Sequence, residues 1–222
     1  MFEITGQIET LQLPRKSDIE NHGYSDLSLS GKLPTDFNAD ILIAMTNVPL
    51  ELNWYSRRLS ENRICFSFFQ LADILMPNNI PLENLVLRLL YSFTLIYKRH
   101  GNKLPESSES TNFTHSDTRR CLFDFNGMKS QVIYSTVKPI ICDECTTQLK
   151  NKLVTKETID VIKKELKRIK KDTFYRISDF MKKRPFLSIM ISVISALILG
   201  IIGSIIYDNW IKDIFTITGH NV

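Results

Sequence analysis

The chain has 222 residues, 43% of them hydrophobic, with 28 lysines and arginines against 24 aspartates and glutamates and a formal net charge of +4. That length allows one globular domain of ordinary size beside a membrane segment, and four cysteines in a cytoplasmic setting exclude a disulfide framework. The basic excess is local, because thirteen cations and only five acids lie between Lys150 and Arg184; it points to lipid headgroups, and direct sequence-specific nucleic-acid binding is not expected.

Residues 1–39 open with FEITGQIETLQL, where Phe2, Ile4, Ile8, Leu11 and Leu13 predict an edge strand or hairpin before a polar segment. The start, MFEITGQIE, lacks a basic region followed by an apolar run, so no signal peptide is expected there. Residues 40–150 read as a cytoplasmic α+β domain. Its apolar runs DILIAMT (40–46) and RICFSFF (63–69) predict two strands buried on both faces, joined by a loop. Leu71 to Met76 begins a short helix stopped by Pro77. Pro81 to Arg99 is a long apolar helix with proline and Glu83 at its start and Lys98 and Arg99 at its end. It is apolar enough for a second membrane span, but Glu83, Asn84 and Arg88 within it favour a central core helix. Residues 101–114, polar and serine-rich, predict a mobile loop.

Metal-site chemistry follows. His115, Cys121, Cys142 and Cys145 stand as H-x5-C-x20-C-x2-C, and a C-x2-C pair places two thiolates on one zinc. A structural zinc with these four ligands is the expectation, set against the alternative of buried inert cysteines. Cys65, inside an apolar strand run, reads as a plain core residue.

The succession ILIAMT, VPLELN, CFSF, an apolar helix, then HSDTRRCLF and ICDECTTQL resembles the archaemetzincin-like zinc peptidases. In that family the third histidine of the catalytic zinc is followed at once by a cysteine and five residues later by another, and a C-x2-C closes a structural zinc site. His115, Cys121, Cys142 and Cys145 keep that spacing, while Ser116 stands where the first cysteine would be. The resemblance implies a degenerate, metzincin-like domain with a small mixed sheet and a core helix. It implies no peptidase, because the helix standing in for H-E-x-x-H has Leu85, Leu89 and Phe93 and no histidine pair.

Residues 151–185 predict a basic amphipathic stalk. Ile159, Ile162, Leu166, Ile169, Thr173, Ile177 and Phe180 step by threes and fours along one helix, as a short coiled-coil seam or a solvated single helix would. Residues 186–207 carry no charge and no proline and, at about 1.5 Å per residue, reach roughly 33 Å, enough to cross a bilayer. Ser188, Ser192, Ala196, Gly200 and Ser204 recur every fourth position along this span, a face on which helices can pack closely and serines bond across. The tail, 208–222, has one lysine and two aspartates. The positive-inside rule therefore puts the amino-terminal part in the cytoplasm and the tail outside.

No nucleotide loop and no serine, histidine and aspartate order is present, so an enzyme is not expected. A cytoplasmic partner-binding domain, an oligomerising stalk and one tight-packing span suit an effector that breaches the membrane. This layout, with its lysine- and asparagine-rich composition, resembles the small transmembrane effectors of bacterial anti-phage systems encoded beside a retron reverse transcriptase. The resemblance implies an abortive-infection role at the inner membrane, with restraint by the reverse transcriptase and its RNA–DNA product. Alternatives are a membrane-tethered zinc peptidase, for which His22, His100, His115 and His220 are the available histidines, and an inert tail-anchored adaptor.

Overall fold

The computed structural model describes residues 2–207 apart from 108, 110 and 112. The expected external tail, 208–222, with His220, lies outside the described residues. The chain divides into two units, Met1–Lys171 and Asp172–Val222.

The first unit is α+β, with a mixed three-stranded sheet in the order β1, β3, β2. Strand β1 (Leu42–Thr46) runs parallel to β3 (Arg63–Ser67), and β2 (Ser56–Arg58) pairs with β3 antiparallel. The expectation of two strands buried on both faces holds for β3, whose five residues are all buried, but not for β1. As an edge strand β1 leaves Met45 49% exposed. Along β3 the two-residue period sends Ile64 and Phe66 towards Leu85, Leu89 and Phe93, and Cys65 to a separate cluster with Leu29, Leu50 and Leu59. Arg63 is buried too, with its guanidinium donating to the carbonyls of Ser30, Leu33 and Ser60.

Before the sheet comes α1 (Asp26–Ser30), capped by the Ser25 hydroxyl accepting from Ser28 N. Among the described residues before it no strand forms. Ile4 and Ile8 are over 80% exposed, Leu11 and Leu13 pack beside the Cys65 cluster, and Phe2 lies 4.9 Å from the Tyr91 ring. The predicted edge strand does not form, and the contacts of this segment are made by its side chains.

Helix α2 (Leu71–Leu75) and a tight turn at Met76–Asn78 lead into α3 (Leu82–Arg99), bent from it by 114°. One side of α3, with Leu85, Leu89, Phe93 and Tyr97, packs on the sheet cluster; Tyr91 and Leu95 enter a second cluster with Cys145, Leu149, Ile159 and Ile162. A helix covered on both sides is apolar nearly all round, which explains its likeness to a membrane span. In the segment after it Leu104 and Phe113 are buried, Arg58 donates to the carbonyls of Pro105 and Glu109, and the Arg99 guanidinium sits 4.1 Å over the Phe113 ring.

The unit closes with α4 (Val132–Ser135), α5 (Asp143–Lys150) and α6 (Lys156–Leu166). Here the expected continuous stalk is corrected. Ile159, Ile162, Leu166 and Ile169 are buried in the domain's own core, the Tyr91 hydroxyl donates to Glu165 at 2.8 Å, and the helix stops at Leu166. From Ile159 to Ile169 the apolar stripe is thus spent on the domain's own core.

In the second unit, α7 (Thr173–Lys183) and α8 (Pro185–Ile206) are separated at Arg184, whose φ of −138° and ψ of 65° leave the helical region. The ring of Pro185 disfavours helical geometry in the residue before it, and proline then suits the first turn of α8. Helix α8 is the one helix among the described residues that alone is long and apolar enough to cross a membrane.

Candidate metal centre

Two short backbone pairings assemble the site. Leu122 N donates to Ile140 O and Ile140 N to Arg120 O, which sets Cys121 beside the start of α5. His115 N donates to Phe123 O and Phe125 N to His115 O, which brings the imidazole across the same segment. At the start of α5, Cys142 is the N-cap and its sulfur accepts from Cys145 N at 3.5 Å. A C-x2-C pair placed so puts both sulfurs at the positive end of a helix, where thiolates are favoured.

The four ligand atoms of His115, Cys121, Cys142 and Cys145 lie within 4.8 Å of one another, and the cluster can hold a metal ion. His115 Nε2 is 3.6 Å from Cys142 Sγ, and Cys142 N is 3.5 Å from Cys121 Sγ. Cys121 and Cys145 are buried, while His115 and Cys142 are half-buried. The Cys121 thiol is held down at about 5, chiefly by the hydrogen bond from Cys145, with help from the Cys142 and Phe123 amides against the opposing effect of burial. Cys145, the donor in that pair, is pushed up. For His115, burial favours the neutral ring, but hydrogen bonds to Cys121 and the Asp117 carbonyl win, and the net shift is upward. Both the upward shift at His115 and the downward shift at Cys121 run in the direction that a site favouring positive charge produces.

Asp124 is the functional residue that sequence reasoning missed. Its carboxylate accepts from the Arg119 and Cys121 amides and lies 3.4 Å from His115 Nδ1, which is also 3.0 Å from the Asp117 carbonyl. Acceptors on Nδ1 fix the tautomer that presents Nε2 to the sulfurs, the usual service of a carboxylate behind a metal-bound histidine. Buried Arg88, from α3, braces the same segment through the Leu122 and Asp124 carbonyls and the Ser135 hydroxyl. The advance signal is an aspartate three residues after Cys121, the spacing at which an acidic side chain reaches back to a backbone amide, as in a capping box.

Other candidate residues are not gathered into a site. His100 caps α3 with its ring against the Ile96 carbonyl and is outside the metal cluster. A cleft of about 410 Å³ beside β2 is lined by Trp54, Arg57, Arg58, Arg88 and Phe125. Its cations are engaged, Arg57 with Asp26 and Arg58 with main-chain carbonyls. Ser188, Ser192, Ala196, Gly200 and Ser204 all lie on α8. There the Ser188 and Ser192 hydroxyls bond back to the carbonyls four residues earlier, at 3.0 Å, rather than remaining available across the face. Around Gly200 and Gly203 the space a Cβ would occupy is open.

Comparison with protein-family models, curated proteins and solved structures gives no match, so the chemistry of the residues themselves carries the functional reading.

Proposed function

We propose that this chain is a membrane-acting effector: a cytoplasmic domain stapled by structural zinc, anchored by one span whose self-association breaches the bacterial inner membrane. The observation that carries the reading is α8, 22 residues without a charge and with its large apolar side chains exposed along its length. In water such a surface is untenable; in lipid it is at home. The basic excess before it supports an amino terminus in the cytoplasm. Its small residues at every fourth position support close packing with another copy, and the back-bonded serines leave that face smooth.

Zinc suits the donor set, three sulfurs and one imidazole, and four protein ligands complete a tetrahedral shell with no open position for a substrate or water. The metal is therefore a fold element, and the chain is read as having no catalytic role. By its resemblance to effectors encoded beside a retron reverse transcriptase, the domain is assigned restraint by that enzyme and its RNA–DNA product until phage attack, with killing of the infected cell as the outcome. A voltage-sensitive dye in expressing cells tests the reading. Depolarisation with growth arrest, suppressed by co-expression of the restraining partner, is the expected result. Full membrane potential with the protein abundant and unrestrained refutes it and leaves a tail-anchored adaptor.

A further inference from the structure

Helix α7 poses a problem that α6 does not. Both are amphipathic, but α6 buries Ile159, Ile162 and Leu166, whereas α7 buries none of its eleven residues. At 100° per residue, Phe180, Ile177, Met181 and Phe174 fall within an arc of about 120°. They are 38%, 54%, 52% and 75% exposed, respectively. The other side carries Ser178, Asp179, Lys182 and Lys183, with Arg176 at the border. One residue, Arg184, separates this helix from the first turn of α8.

We propose that α7 lies along an anionic bilayer surface, with Phe174, Ile177, Phe180 and Met181 immersed at the acyl boundary and the neighbouring cations on the headgroups. The proposal rests on α8 being a membrane span. Given that span, the end of α7 is fixed at headgroup depth, because Arg184 is the only residue between them. Arg184 leaves the helical region ahead of Pro185, so α7 ends as a helix separate from α8. Arg176, Lys182, Lys183 and Arg184 outnumber Asp179, the charge balance that anionic lipid attracts. Pairing with a second copy fits less well, since eleven residues give fewer than two heptads of seam.

Full-length protein with Trp54→Phe and Trp210→Phe, reconstituted into vesicles of phosphatidylcholine and phosphatidylglycerol, tests this with bromine-labelled lipid as the quencher. Phe174→Trp should be quenched about threefold more than Tyr175→Trp, whose position is about 150° from the centre of the apolar arc, and the difference should shrink without phosphatidylglycerol. Both positions are exposed, so neither substitution disturbs a core. Leu197→Trp reports the span separately. Quenching there with equal quenching at 174 and 175 overturns the interfacial helix and leaves the span standing. Absence of quenching at 197 removes the span and this proposal with it. Shielding of 174 that grows with copies per vesicle, without bromine quenching, assigns the face to self-pairing and also overturns it.

Discussion

Cys142 serves two structures at once, as the N-cap of α5 and as a member of the metal cluster, so its loss is expected to cost more than a cap alone. Cys142→Ser keeps a capping oxygen but not the thiolate. It should lower the zinc content of the purified chain from about one per molecule and destabilise the domain by several kcal/mol, because binding energy at such a site is folding energy. Metal analysis with a denaturant melt checks both, and unchanged values in each would remove zinc from the account. Asp124→Asn should act more gently, leaving the four ligands in place while weakening zinc about 10- to 100-fold, which a chelator competition measures. The cysteine pair was legible because its geometry is local to one helix start. Asp124 was not, because its role depends on amides and a ring that only the folded chain brings to it.

At the scale of elements, apolar runs were good guides where the element was long or fully buried, as in β3 and α3. Strand β2 leaves no signal in the sequence because Ser-Arg-Arg carries no apolar alternation, and its pairing is dictated by the neighbouring β3. The stalk differs from expectation for a related reason: periodicity says that a face is buried, not against what. Ile162→Ala in α6 should therefore destabilise the domain by about 2–5 kcal/mol, read from a urea melt, whereas a solvated stalk would lose almost nothing. In α8, Gly200→Leu should leave membrane abundance unchanged and abolish depolarisation, since leucine is as welcome in lipid but holds two backbones apart. Ile198→Leu, about 160° round the axis from Gly200, should depolarise like the parent protein. Full depolarisation by Gly200→Leu at equal abundance would exclude that face.

At the scale of the whole molecule, the folded boundary falls after Lys171 rather than at residue 150. A fragment ending at 171 should be soluble, cooperative in melting and loaded with zinc. One ending at 150 should fail on all three counts, having lost Ile159, Ile162, Leu166 and Ile169 from the core. Equal behaviour of the two fragments would show α6 to be dispensable. Topology has its own check: alkaline phosphatase fused after Val222 should be active, and fused after Lys150 inactive, with the opposite pattern reversing the assigned orientation.

The four-residue spacing on α8 has a geometric sequel. A helix turns once in 3.6 residues, so each step from Ser188 to Ser204 advances the line by about 40° and it winds round the axis instead of running along it. Two copies meeting on such a line cross in an X with right-handed sense, of the order of 40° between axes. Their backbones touch over a step or two and diverge above and below. If the spans self-associate on this face as proposed, the bilayer at each opening of the X meets a wedge that straight acyl chains fill poorly, and the breach to expect is a lipid packing defect rather than a lined channel.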